Sequence, residues 1–373
     1  MFRLFLSAVI INFIFSSTYF VNLSFALTPQ EMNAEYEKST EAKKNKNWTL
    51  AKDIVTPLAE QGHAKSQSRL GGIYLYGLGG VPKDFKKAFK YLKLGAEQGD
   101  EIAQYNLGMM YYDGTGVPQD YKEAFKWYRL AAVQNISYAQ AQLGYMYVVG
   151  EGVPQDNKKS LKWYFRAANQ GHVIAQSNIG YAFFHGNGVP QDYKVAMNWF
   201  RLAAEEDEET AQYYMGEIYR VGLGVSKDFN EALKWLKLAA EKKKSGAQAA
   251  LGVMFEFGQG VDKSLKEAMK WYQLAADQGL AAAQNNLGNF YFNGNGVEQN
   301  YKEAMKWYQL AADQGFSNAQ NSVGSLYANG QGVLQDYKEA MKWFKLAADQ
   351  GNEVAKKNFE IVKNLEKQLL EKK

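Results

Sequence analysis

The sequence predicts an all-α protein, a solenoid of repeated helix pairs, and three features predict it. Tryptophan recurs at Trp127, Trp163, Trp199, Trp235, Trp271, Trp307 and Trp343, each 36 residues from the last, with Tyr91 one step earlier. Glycine keeps the same period at Gly108, Gly144, Gly180, Gly216, Gly252, Gly288 and Gly324. Gly71 falls one residue out of step because the loop at 77–80 carries an extra residue. Between these columns apolar residues step by three or four, the period of amphipathic helices rather than of strands.

In chain order, residues 1–26 have the makeup of a signal peptide. Arg3 supplies a positive start, residues 4–15 are apolar apart from Ser7 and Asn12, and Ser24 and Ala26 put small residues before a cleavage point. Asn12, Ser16, Ser17, Thr18 and Asn22 make the segment too polar for a membrane span of about 20 apolar residues. The mature chain is then expected to start at Leu27. Thr28-Pro29-Gln30-Glu31 follows as a helix start, with Thr28 the N-cap, Pro29 at the first helical position and Glu31 closing a capping box. Residues 27–64 are expected to hold a degenerate helix pair that caps the array, with Trp48 in place of the usual tyrosine and Pro57 kinking the second helix.

Residues 65–351 hold eight units of two helices each. In the first helix the recurring positions are those of Ala139, Leu143, Gly144 and Tyr147; in the second, those of Tyr301, Ala304, Trp307, Tyr308 and Ala311. Each set marks one buried face. Glycine inside a helix costs roughly 1 kcal/mol against alanine, so its return at Gly144 and its equivalents predicts close helix packing, with Trp307 and its equivalents between layers. The connector, as in Gly114-Thr115-Gly116-Val117-Pro118-Gln119-Asp120, ends one helix on glycine and starts the next on an aspartate N-cap. Its Gly-x-Gly pair follows a helix and lacks a Lys-Ser/Thr, so it is not read as a phosphate cradle. Residues 352–373 are a closing helix, with Val354, Phe359, Val362, Leu365 and Leu369 along one side.

Composition excludes several functions. Lys+Arg 43 against Asp+Glu 39 gives a net charge of +4, far from the one-signed field of a nucleic-acid binder. The chain has no cysteine, which removes disulfides, thiolate metal sites, a cysteine nucleophile and a lipidated anchor. His63, His172 and His185 are its histidines, and none sits in a metal or nucleophile motif. No catalytic residue, metal or cofactor is expected.

The pattern Ala-x-x-x-Leu-Gly-x-x-Tyr-x-x-Gly-x-Gly-Val-x-x-Asp, then Ala-x-x-Trp-Tyr-x-x-Ala-Ala, resembles the Sel1-like repeat family, relatives of the tetratricopeptide solenoids. Ser226, Asp262, Glu298 and Leu334 depart from the loop proline at Pro82, Pro118, Pro154 and Pro190, and all fit the same turn. The resemblance implies a right-handed α/α solenoid that binds partners on its concave first-helix face. The columns that vary there, beginning at Tyr105, Met109 and Tyr112, form the candidate protein-binding stripe: Tyr105, Met109, Tyr112, Tyr145, Val148, Tyr181, Phe184, Tyr213, Glu217 and Arg220. Beyond it Asn285, Asn289, Asn321 and Ser325 make the stripe polar, with Phe292 an exception. Aromatic rings beside arginine suit an interaction hot spot.

A second candidate is the run Glu205-Glu206-Asp207-Glu208-Glu209, which meets Lys242, Lys243 and Lys244 one repeat on. It is expected to be a solvated salt-bridging edge. The resemblance extends to exported bacterial proteins implicated in host-cell entry. It implies an exported, monomeric, non-enzymatic scaffold, periplasmic or secreted, that engages host proteins, with no stable membrane insertion and no nucleic acid. A periplasmic scaffold for peptidoglycan or exopolysaccharide assembly is the alternative. A β-lactam hydrolase, known among cysteine-rich relatives, fits poorly with a chain free of cysteine.

Overall fold

In the computed structural model residues 27–371 are described; the segment expected to be a signal peptide lies outside the described residues. The described residues form nineteen α-helices and no strand. They divide into two compact units, one running to Met110 with Gly114–Pro118, the other comprising Tyr111–Asp113 and Gln119 onward.

The first unit holds α1 (Pro29–Lys44), α2 (Trp48–Glu60), α3 (Ala64–Tyr76), α4 (Phe85–Glu97) and most of α5 (Glu101–Asp113). Helix α1 starts as its sequence dictates: Thr28 Oγ1 accepts from the Glu31 backbone N–H, and the Glu31 carboxylate accepts from Thr28 N–H at 2.8 Å. Pro57 sits inside α2, yet its own carbonyl accepts from Gln61 N–H and helps close the helix.

The second unit opens with α6 (Tyr121–Val133), α7 (Ser137–Val149), α8 (Asn157–Ala168), α9 (Val173–His185), α10 (Tyr193–Glu205), α11 (Glu209–Val221) and α12 (Phe229–Glu241). It continues with α13 (Ser245–Phe257), α14 (Leu265–Asp277), α15 (Ala281–Asn293), α16 (Tyr301–Asp313), α17 (Ser317–Asn329), α18 (Tyr337–Asp349) and α19 (Glu353–Glu371). Successive helices pack in antiparallel pairs, and the first helices of neighbouring repeats also touch, as α7–α9, α9–α11 and α11–α13 do.

The glycine column explains this closeness. A Cβ built on Gly252 would stand 2.6 Å from the ring of Tyr272, and one on Gly180 would stand 2.7 Å from Phe200. The buried column is therefore the one after the tryptophans, the rings of Tyr128, Tyr164, Phe200, Tyr272, Tyr308 and Phe344 with the aliphatic Leu236 among them. Trp127, Trp235 and Trp307 are buried, whereas Trp163, Trp199, Trp271 and Trp343 are half-buried. Five of them reach out of their own repeat: Trp199 packs on the core around Tyr164, Trp235 joins that around Phe200, Trp271 packs on that around Leu236, Trp307 joins that around Tyr272 and Trp343 packs on that around Tyr308. Tryptophan thus ties a repeat to the one before, while the next residue fills the space that glycine leaves within the repeat.

The connectors follow the same logic. Gly114, Gly150 and their equivalents end the first helices in the left-handed region, and Asp120, Asp156, Asp192, Asp228 and Asp336 cap the second helices through their carboxylates. The second glycine of the pair serves packing: at Gly260 a Cβ would meet the Cβ of Phe229 at 2.6 Å.

Candidate functional site

The candidate stripe follows from which faces of the first helices the repeats leave open. Tyr105 and Met109 lie in the first unit, half-buried on α5. There the Tyr76 hydroxyl donates to Asn106 Oδ1 at 2.9 Å and lies 4.0 Å from Met109 Sδ. The remaining eight residues lie in the second unit.

The exposed members are Tyr145, Val148 and Tyr181, at 43%, 37% and 41% of full exposure. Tyr145 and Tyr181 occupy one column in consecutive repeats, so two phenol rings stand on neighbouring helices α7 and α9. The other residues are half-buried and interlocked. Tyr112 packs on Tyr121 with centroids 5.2 Å apart and donates its hydroxyl to Glu151 at 2.5 Å. Burial, then that carboxylate, pushes its ionisation up. Phe184 lies edge-on to Tyr193 at 5.2 Å and 4.9 Å from Tyr214. Tyr213 packs on Tyr214 at 5.1 Å, and burial pushes its hydroxyl up to about 12. Glu217 accepts two bonds from Arg220, both at 2.8 Å, and the hydrogen-bonded carboxylate raises the guanidinium further.

The stripe expected as one continuous surface is thus divided. The column of Tyr105 is buried at Ala141, Ser177 and Asn285 and half-buried at Tyr213, Ala249 and Asn321.

Sequence reasoning missed Tyr214. Its column otherwise holds Asn106, Gln142, Asn178, Ala250, Asn286 and Ser322, so the one aromatic residue at 214 was a legible signal. Its ring stacks on Phe200 at 4.8 Å and lies 5.8 Å from Tyr181, and its hydroxyl is 3.3 Å from His185 Nε2. His185 in turn sits 4.3 Å from Tyr181. Tyr214 therefore seats the exposed Tyr181 against the core.

A second site was also missed, a cavity of about 340 Å³ in the first unit, lined among others by Tyr36, Arg69, Tyr76, Asp100 and Asn106. Arg69 is already engaged there. Its guanidinium lies 4.0 Å over the Tyr36 ring and donates to Tyr36, Thr40 and Ser39 hydroxyls. Burial holds the Asp100 carboxyl above its ordinary range.

The charged edge differs from a solvated one. Glu208 is buried, caps α11 by accepting from Thr210 and Ala211 N–H, and accepts from the Ser177 hydroxyl at 2.8 Å. Asp207 pairs with Lys242, and Lys244 Nζ donates to Thr210 at 2.8 Å.

Beside that edge runs a glutamine ladder that sequence reasoning overlooked. Gln67, Gln140, Gln248, Gln284 and Gln320 each donate Nε2 to an alanine carbonyl eight residues back, at 3.0–3.4 Å. Each also accepts at Oε1 from a glutamine 30 residues on (31 for Gln67), namely Gln98, Gln170, Gln278, Gln314 and Gln350, at 2.7–2.8 Å. The ladder breaks twice. At the donor position stand Glu206 and Lys242, and the buried Oε1 atoms of Gln176 and Gln212 are left without a partner.

Among the described residues no group of three His, Asp or Glu side chains could hold a metal ion, and no helix is long and apolar enough to cross a membrane. His63 bonds Ser66 at 2.7 Å and Asn33 at 3.1 Å, and His172 caps α9 by accepting from Ala175 N–H at 3.3 Å.

Eight stretches match the Sel1 repeat: 64–100, 102–135, 137–172, 173–208, 210–244, 245–280, 281–316 and 317–352. Among solved structures, the chain is similar to c5321, a protective antigen present in uropathogenic Escherichia coli strains displaying an SLR fold. It is 30% identical with a TM-score of 0.66, covering 90% of this chain and 80% of that one. A Sel1 repeat protein from Oxalobacter formigenes is 35% identical with a TM-score of 0.63, covering 83% of this chain and 89% of that one. No curated protein matches the chain.

Proposed function

The chain belongs to the Sel1-repeat family, and from that premise we propose that it is a non-enzymatic protein-binding scaffold, exported to the periplasm or beyond, that engages proteins of a host cell. The observation that carries the binding face is the exposed pair Tyr145 and Tyr181 beside Val148. Two adjacent aromatic rings held by packed neighbours lose little freedom when a partner covers them, which is why such rings concentrate binding energy. Arg220, fixed by Glu217, flanks them with a directed donor set.

Export is supported by the composition of residues 1–26 and by the likeness to an Escherichia coli protective antigen. The near-balanced charge argues against nucleic acid as the partner. The proposed unit of function is the monomer.

A photo-crosslinking residue at position 148, with a control at the 91%-exposed Leu334, tests the face against host-cell extract. Protein adducts at 148 and not at 334, abolished by Tyr145→Ala/Tyr181→Ala, are expected. Equal adducts at both positions would refute the assignment, and selective retention on isolated peptidoglycan would favour wall assembly instead. Fractionation of cells expressing the full chain tests export: recovery in the periplasm or medium is expected, and confinement to the cytoplasm refutes that part.

A further inference from the structure

The break in the glutamine ladder leaves a place built for an N–H donor and empty of one. In five other repeats the equivalent carboxamide oxygen accepts from a glutamine NH2 at 2.7–2.8 Å. Gln176 keeps the acceptor, at 9% exposure, but the residue 30 positions on is Glu206, which brings a second acceptor. Gln176 Oε1 is therefore a buried acceptor without a donor, and the residue in the donor's place is an exposed carboxylate that can only accept. Among the described residues no ion pair engages Glu205, Glu206 or Glu209 on this edge, while the nearby Lys242 and Lys244 are held by Asp207 and Thr210. Asp207 differs, being held by Lys242 and Gln212.

We propose that this position is a binding site for an arginine side chain of a partner polypeptide, seated between Gln176 Oε1 and the Glu206 carboxylate. It is distinct from the Tyr145–Tyr181 face and independent of it. Guanidinium fits better than ammonium for a geometric reason. One planar NH2 reproduces the carboxamide NH2 that fills this place elsewhere in the ladder, while the other edge of the same plane meets the carboxylate. Gln176 Oε1 is closed to solvent in the unbound chain and Glu206, at the end of α10, is exposed, so the guanidinium meets the carboxylate first and reaches Oε1 as the side chains adjust. The neighbouring break at Gln212 does not form such a site, because there the residue 30 positions on is Lys242, itself a cation and already paired with Asp207.

The test uses the full chain with tetra-arginine and tetra-lysine peptides, followed by titration calorimetry and by the side-chain amide NMR signals of Gln176. Tetra-arginine is expected to bind more tightly than tetra-lysine and to move the Gln176 amide signals. Glu206→Gln supplies the missing donor internally and is expected to weaken tetra-arginine by about tenfold or more, as loss of a charge-assisted hydrogen bond implies. Glu205→Gln and Glu209→Gln remove the same charge but leave the acceptor pair, and are expected to weaken it by less than about threefold, the scale of an exposed charge. Equal losses in all three variants, equal affinity for the two peptides, an unmoved Gln176 signal or no binding of tetra-arginine would each overturn the proposal. Selective binding of calcium or free spermidine in place of the peptide would overturn the assigned occupant. Tyr145→Ala/Tyr181→Ala is expected to bind tetra-arginine as the unaltered chain does, so failure here and failure of the aromatic face are read separately.

Discussion

Replacing Glu206 by glutamine should make the protein more stable, although it touches no apolar contact. Residue 206 sits at the C-cap of α10 with φ −88° and ψ 21°, close to the φ −84° and ψ 4° of Gln278 in an intact rung. A glutamine there can therefore donate to Gln176 Oε1 without moving the backbone. One new buried bond, closing an acceptor that now has none, is worth about 1 kcal/mol. Removing a negative charge from a helix C-terminus adds roughly 0.3 kcal/mol in the same direction. In a stacked array this gain is local, so hydrogen exchange is the suitable assay. Amides of α9 and α10 should exchange roughly five- to tenfold more slowly, a change of about 1–1.4 kcal/mol. Glu206→Met is the control, since it removes the charge without adding a donor. Equal protection in the two variants would refute the hydrogen-bond reasoning, and no change in either would show that the open acceptor costs nothing.

Three further outcomes follow from named contacts. Lys243 adopts φ 64° where Gly279, Gly315 and Gly351 stand in later repeats, so Lys243→Gly should raise the urea midpoint, by about 0.5–1 kcal/mol of relieved backbone strain less the glycine entropy; a lowered midpoint would contradict it. Gly252→Ala would press a methyl group into the Tyr272 ring at 2.6 Å and should cost about 1–3 kcal/mol in denaturant unfolding, whereas a neutral effect would mean the ring can move aside. Burial holds His172 below its ordinary value of 6.5, so the folded chain keeps it neutral where the unfolded chain protonates it. The stability this supplies is complete above about pH 6.5 and is lost as pH falls towards the lower folded value, so α9 amides should lose protection on acidification. His172→Asn, which caps without titrating, should remove that pH dependence, and an unchanged acid response would place it elsewhere.

Much of the fold was legible because its requirements repeat. Glycine at 144 and its equivalents, aspartate at 120 and glycine at 114 each answer one steric or hydrogen-bonding need, and a fixed period displays them at once. The tryptophans were legible as packing residues, but their half-buried state was not, because period alone does not distinguish a bridge between repeats from the centre of one. The stripe was read less completely. Variation down a column signals freedom from a shared packing rule, yet Tyr112, Phe184 and Tyr213 vary while filling spaces particular to their own repeats. Glu208 looked solvated within an acidic run because its partner, Ser177, lies a repeat away. The glutamines were as periodic as the glycines, and the signal was present. They were missed because polar residues at a helix start are ordinarily hydrated, and nothing in composition marks a carboxamide that is buried.

The interrupted ladder also bears on how the second unit comes apart under load. In a stack of repeats joined only to their neighbours, tension runs through every junction in series, and the junction with the fewest cross-links yields first. In the second unit a glutamine amide clips the two helices of one repeat together at Gln140–Gln170, Gln248–Gln278, Gln284–Gln314 and Gln320–Gln350, and the pairs holding Gln176 and Gln212 lack that clip. Stretching should therefore part α9 from α10 and α11 from α12 before the helix pairs of that unit that carry the clip. An arginine bridging Gln176 and Glu206 would clamp one of those two junctions, so that docking a partner and resisting mechanical extension become the same event.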